Sequence, residues 1–270
     1  MQNNDYSKRA PAADQAVRIL NCLADNSPRK LTLTAICEQV GINKSKGYSL
    51  LNTLLHHGLI AKDPDHKTYS LGLKLLFLSR KLLDSLGYRE LTSPHLENLA
   101  QATQTTALFL VRRDGQAFVA AKQQSNEPVG VNIRTGHVFP DTHGAHGVAL
   151  AAFLPPGEQE ALLQQKELYF LGDPEATAAG MDNVREAIEQ CRRQGFAKDH
   201  GRMQHGINAV AAPVFDPKGD VFGFVLAIGT YPAGLMDNHG ALAAKAAQGI
   251  TQNLGGPLDR YVSQQERKGI

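Results

Sequence analysis

The chain has no tryptophan, three cysteines among 270 residues and a formal net charge of only +2. Cys22, Cys37 and Cys191 form no C-x-x-C pair and sit in helix-like, partly apolar patterns. They therefore read as reduced, packed thiols rather than as a disulfide framework or a zinc finger. Long apolar runs are also missing. "LKLLFLS" is broken by Lys, Arg and Ser well short of the roughly 20 residues a membrane helix needs, and "MQNNDYSKRAPAADQ" has no apolar leader core, so the cytoplasm is the expected address. No G-x-S-x-G, no phosphate-binding G-x-x-x-x-G-K-[ST] and no G-x-G-x-x-G behind a strand is present. No enzyme is therefore expected, and a metallo-hydrolase is kept only as a lesser alternative.

What remains is a globular composition, 42% hydrophobic and 20% charged, at a length that suits two domains. The charge is unevenly placed. Residues 1–90 carry 13 Lys and Arg against 8 Asp and Glu, a net of +5, and residues 91–270 carry 15 against 18, a net of −3. A basic first third on an acidic remainder suits a nucleic-acid reader joined to a domain with another task.

Local patterns support that division. Ala16, Ile19, Leu20 and Leu23 recur at helical spacing over residues 13–26 and stop at "DNSP". "KLTLTAICEQVG" offers Thr32 or Thr34 as an N-cap, Ile36 and Val40 as a buried stripe and Gly41 as a stop. A third helix starts at Asn43, runs Gly47, Leu50, Leu51 and Leu54 along one side, and ends at Gly58. Ser45, Ser49, Asn52 and His56 lie opposite that stripe, flanked by Lys46 and Tyr48. Behind it, "LIAKDPDHKTYSLG" reads as two short strands around a turn. This is the plan of a winged helix-turn-helix, the alternative being a three-helix domain with a merely solvated face.

Residues 73–86 carry more leucine than one amphipathic stripe requires, so this helix is expected to bury two faces, either against a second copy or within one chain. Another helix follows over residues 88–103, with Pro94 as an early break. Strand patterns then occur at "TTALFLVRR", "QAFVAAKQQ", "NAVAAPVFD" and "DVFGFVLAIGTY". Helical patterns occur near 144–153, 157–166, 180–194 and 235–254. An α+β domain with a mostly antiparallel sheet is predicted.

Three separated segments, "LTLTAICEQVGINKSKGYSLLNTLLHHGLI" with "YSLGLKLLFLS", "HGAHGVALAAFLPP" and "GINAVAAPVFDPKGDVFGFVLAIG", resemble the IclR family of bacterial transcription regulators over residues 14–256. The resemblance implies an α+β architecture: an N-terminal winged helix-turn-helix, a linker helix and a C-terminal GAF-like (profilin-like) effector-binding domain. It also implies homodimers or homotetramers and no catalysis. The corresponding divisions are an arm at 1–10, a reading head at 11–72, a linker at 73–87, an effector domain at 88–256 and a tail at 257–270. Partners implied are double-stranded operator DNA, a small-molecule effector and a second copy of the chain, with no membrane.

Where many members read like "PKSTAHRLL", this chain has "NKSKGYSLL", so a different operator is expected. The resemblance carries DNA contact to Thr34, Lys44, Ser45, Lys46, Tyr48, Ser49 and Asn52, with His66 and Lys67 in the wing. Lys44, Lys46 and Lys67 suit phosphate and Ser49 and Asn52 suit base edges. It maps the effector cup onto residues 142–147, 199–209 and 226–230, that is His143, Gly144, Ala145, His146, Asp199, Ile207, Asn208, Ala209, Leu226 and Ile228. The N–H groups of Gly144, Ala145 and His146 at a helix start would hold a carboxylate, and Leu226 and Ile228 favour an aromatic or partly apolar acid. No cofactor is implied beyond the effector. A metal is the alternative, on His143, His146, Asp199 and His205 with Asp141 and His200 nearby.

Overall fold

The structure, a computed structural model, describes residues 10–125 and 130–261, with only the backbone of Arg80 and of residues 82–86. The expected arm up to residue 9 and the tail from Ser263 lie outside the described residues. The chain divides into two compact units at Leu86 and Gly87.

The first unit contains α1 (Pro11–Asp25), β1 (Leu31–Thr32), α2 (Leu33–Val40), α3 (Lys44–His56), β2 (Ile60–Asp63), β3 (Thr68–Leu71) and α4 (Leu73–Leu86). Its core joins Ile19 and Leu23 of α1 to Ile36 and Val40 of α2, Leu51 and Leu54 of α3, and Tyr69 of β3. Thr32, not Thr34, caps α2, its hydroxyl accepting from Ala35 N at 3.3 Å. Gly41 ends α2 at φ +72, where a side chain would be strained. Asn43 then caps α3 through Lys46 N at 2.9 Å, which gives Asn at this position a local purpose. The strands form an antiparallel sheet in the order β1-β3-β2. Asp63 organises the β2–β3 turn, accepting from the backbone N–H groups of Asp65 and His66 and pairing with Lys30 at 3.0 Å. These contacts, the Lys30 ammonium first, hold its carboxyl well below the usual range.

In α4, Leu73, Leu76, Phe77 and Leu78 are exposed, Leu73 by 85% and Leu76 by 67%. The first unit leaves these side chains uncovered. Leu82, Leu83 and Leu86 lie among residues whose side chains are not described.

The second unit opens with α5 (Tyr88–Thr103). Pro94 does not break it. Proline removes one backbone donor, and α5 is held by Leu96, Leu99 and Ala100 packed against the sheet, with Thr92 donating back to Tyr88 O at 2.6 Å. Then come β4 (Thr106–Arg113), β5 (Gln116–Gln124), β6 (Val138–Pro140), α6 (Gly144–Phe153), α7 (Pro156–Leu163), α8 (Pro174–Ala179), α9 (Met181–Gln194), β7 (Ala197–His200), β8 (Asn208–Phe215), β9 (Val221–Gly229) and α10 (Met236–Asn253).

The sheet order is β6-β5-β4-β9-β8-β7, every pairing antiparallel. Side chains alternate across it, as the two-residue period of a strand requires. Leu108, Leu110, Phe224 and Leu226 face α6 and α9, while Ala107, Phe109, Val225 and Ala227 face α5 and α10. Both faces of β4, β8 and β9 are covered, which is why their sequences read as near-continuous apolar runs. The chain does not become a tail at 257. Tyr261 donates to Pro213 O at 2.7 Å and meets Thr251 Oγ1 at 2.7 Å, tying Leu258–Tyr261 to β8 and α10. Four short elements, β1, β6, β7 and α8, were not expected from the sequence, because two to six residues complete too little of any period.

Candidate functional site

On the first unit, the solvent side of α3 presents Lys44, Ser45, Lys46, Tyr48, Ser49 and Asn52, all exposed. The leucine stripe underneath leaves the polar residues no other side. Gly47 lies inward, where a Cβ would sit 2.3 Å from Cys37 Sγ, so its lack of a side chain sets how closely α3 approaches α2. Thr34 is half-buried on α2. His66 and Lys67 are exposed on the wing turn, Lys67 at φ +52. A helix with an outward polar face behind a strand wing is suited to a duplex groove.

The second unit holds a cavity of about 400 Å³ between the sheet and the start of α6. Asp199 pairs with Ala209 and Ala209 with Ile228 across β7, β8 and β9, so the three share the face that forms the floor. Leu226 and Ile207 extend this floor. His143, Gly144, Ala145 and His146 form one wall. Nine of the ten expected effector residues thus come together. Asn208 does not: one step from Ala209, it faces the other side of the sheet, where it is buried and donates to Tyr231 O.

Gly144 is at φ +51, and a Cβ there would lie 2.8 Å from Met203 Cγ. Its N–H donates to Tyr169 O at 3.1 Å, so the expectation that it serves a ligand is corrected. The N–H groups of Ala145 and His146, in the first turn of α6, have no acceptor among the described residues. They form a small electropositive concavity.

Asp199 is 5% exposed and caps the following turn, Oδ1 accepting from Arg202 N at 3.0 Å and Oδ2 from Met203 N at 3.4 Å. Burial pushes its carboxyl up from the usual value, and the two N–H groups oppose that. Asp141 lies beneath the wall rather than in it, paired with Arg112 Nε at 2.7 Å; burial raises its carboxyl too.

The histidines belong to an aromatic row. Phe139 meets His143 at 5.0 Å between centroids, His143 stacks on His146 at 5.8 Å, and His146 meets Phe224 at 5.5 Å. Burial pushes His143 down to about 4 and His146 to about 3, with a neighbouring histidine acting in the same direction in each case. Both rings are neutral at ordinary pH. His146 Nε2 lies 3.0 Å from Pro140 O.

The metal alternative on His143, His146, Asp199 and His205 is not supported. Among the described residues no group of three or more His, Cys, Asp or Glu could hold an ion. His146 Nε2 and both Asp199 oxygens have other partners, and neither His200 nor His205 lines the cavity. Sequence reasoning missed Val131, Asn132, Ile133, His137 and Phe139, which form a further wall, while Met203 and Gln204 on the turn after Asp199 fall inside the expected 199–209 stretch. Of these, only "HVFP" carried a signal, an apolar pair next to the helix start.

A winged helix-turn-helix followed by a domain with a partly apolar cavity defines a DNA-binding regulator that responds to a small molecule. Residues 12–64 match the IclR helix-turn-helix domain and residues 80–235 match the bacterial transcriptional regulator IclR C-terminal domain. The chain belongs to the IclR family, ligand-responsive transcription regulators of catabolic genes, a class that is not enzymatic. It is 31% identical over 207 residues to the transcriptional regulator XynR of Escherichia coli, covering 76% of this chain and 80% of that one. An IclR regulator from Alicyclobacillus acidocaldarius superposes with a TM-score of 0.77 at 24% identity, over 92% of this chain and 100% of that one. An IclR homologue from Microbacterium hydrocarbonoxydans, solved with 4-hydroxybenzoate, gives 0.71 at 20% identity, over 90% and 98%. No helix among the described residues is long and apolar enough to cross a membrane.

Proposed function

We propose that the effector is a small aromatic or partly apolar organic acid held in the cavity of the second unit. The observation that carries this is the pairing of a Leu226, Ile228 and Ile207 floor with unpaired N–H groups at Ala145 and His146. An apolar floor leaves a compact polar ligand's oxygens unsatisfied, and a helix start accepts a carboxylate. With His143 and His146 neutral, the helix start rather than an imidazolium supplies the attraction. The bound ligand of the Microbacterium homologue is of this class.

DNA contact is assigned to Lys44, Ser45, Lys46, Tyr48, Ser49 and Asn52, with Thr34, His66 and Lys67 at the margins. The protein works in the cytoplasm as a dimer or dimer of dimers, a second copy covering Leu73, Leu76, Phe77 and Leu78, as two-headed reading of an operator requires. Effector binding changes operator affinity because the acid binds one state of the assembly better than the other.

The test selects an operator from random duplexes with the full chain and then titrates benzoate and its hydroxylated relatives into the complex. A shift in operator affinity that Ile228→Trp abolishes is expected. Tight acid binding with unchanged operator affinity at every salt concentration would refute the coupling.

A further inference from the structure

The His146 ring is 2% exposed, yet only one of its two nitrogens has a protein partner. A carbonyl oxygen can only accept, so the 3.0 Å contact with Pro140 O places the ring proton on Nε2. In a neutral ring Nδ1 is then a bare acceptor. It is unpaired among the described residues, on a side chain that lines the cavity and stacks on His143. An acceptor open to a binding cavity is costly to leave unmet once a ligand excludes water.

We propose that His146 determines specificity by accepting a hydrogen bond from the effector, so that the ligand is a hydroxy-substituted acid rather than a plain one. This rests on the cavity being the effector site. His137, His143 and Gln204 also line the cavity, but no hydrogen bond among the described residues fixes their side chains, whereas the Pro140 contact fixes the His146 ring. Both Asp199 oxygens already accept backbone N–H groups, and the Ala145 and His146 N–H groups are donors that suit the acid end. The cavity thus offers donors for a carboxylate and, at His146 Nδ1, an acceptor of fixed orientation for a hydroxyl. A methyl ether at the same position places an oxygen lone pair against a nitrogen lone pair and is disfavoured.

The test uses the full chain labelled with ¹⁵N-histidine and three probe sets: benzoate, the 2-, 3- and 4-hydroxybenzoates, and the matching methoxybenzoates. In the free protein His146 is expected to show an unprotonated Nδ1 and a protonated Nε2. The Nδ1 resonance should shift toward a hydrogen-bonded value with a hydroxybenzoate but not with benzoate. By calorimetry at least one hydroxybenzoate should bind about tenfold tighter than benzoate and than its methyl ether. His146→Gln keeps an amide donor for Pro140 O but moves the acceptor, and should bring that ratio near one while benzoate binding persists. A protonated Nδ1 overturns the inference, as does acid binding without hydroxyl preference or a preference that survives in His146→Gln. Those results leave the effector site standing. Failure of every acid to bind overturns both.

Discussion

Gly47→Ala sets two effects of known size against each other. Replacing glycine by alanine inside a helix ordinarily stabilises it by about 1 kcal/mol. Here the new methyl would start 2.3 Å from Cys37 Sγ, with Leu33 Cδ1 at 3.5 Å and Ile42 Cδ1 at 3.6 Å. Cys37 is 4% exposed and its Sγ also lies 3.9 Å from Asn43 O, so moving the sulfur aside disturbs the packing of α2 on α3. Overpacking of this kind costs about 1–3 kcal/mol, and the 2.3 Å approach places it in the upper half at about 2–3 kcal/mol, so the steric term is expected to win by about 1–2 kcal/mol. Hydrogen exchange of the α3 amides, read by mass spectrometry on the full chain, should accelerate about 5- to 30-fold. Cys37→Ala removes the obstructing atom. The double variant should therefore recover most of the loss, with a coupling of about 1 kcal/mol or more. Slower exchange in Gly47→Ala, or strictly additive effects, would show that Gly47 is not held small by the α2–α3 contact.

Three further outcomes follow from the geometry. Because the folded state holds the His146 ring below its unfolded value, stability from this residue is complete above about pH 6.5 and declines by about 1.4 kcal/mol per pH unit below that, down to about pH 3. Urea titrations at pH 7 and pH 5 should show a smaller loss in His146→Gln than in the parent, and an equal loss would contradict the assignment. Arg112→Leu strands the Asp141 carboxylate, 5% exposed, and should cost about 3 kcal/mol in the second unit at neutral pH, partly regained on acidification as Asp141 protonates. An acid-insensitive loss would point to lost packing instead. Lys46→Ala should weaken binding to all duplexes and reduce the logarithmic salt slope by about 1, whereas Asn52→Ala should relax preference at one base pair, as competitive binding to a set of single-base operator variants would show.

Helices and strands of about eight residues or more were legible in the sequence because each repeats its period and ends on a readable stop, as α2 does at Gly41 and β4 at Asp114 and Gly115. The outward polar face of α3 was legible for the same reason, since burying Gly47, Leu51 and Leu54 leaves Lys44, Ser45, Ser49 and Asn52 in solvent. Most of the cavity was reached through segments that resemble a known family, and that route also carried Asn208 into the wrong layer.

Only the tertiary structure decided the rest, because a cavity is made by residues distant in sequence. The sheet register places Asp199 beside Ala209 and Ala209 beside Ile228, and so separates Asn208 from its neighbour. The turn after Asp199 brings Met203 over Gly144. The approach of Pro140 O to His146 fixes which ring nitrogen is left to a ligand. Local sequence determines which face of an element is apolar, since that depends on neighbours three or four residues away. Which polar atoms remain unpaired inside depends on partners that only chain packing brings within 3 Å.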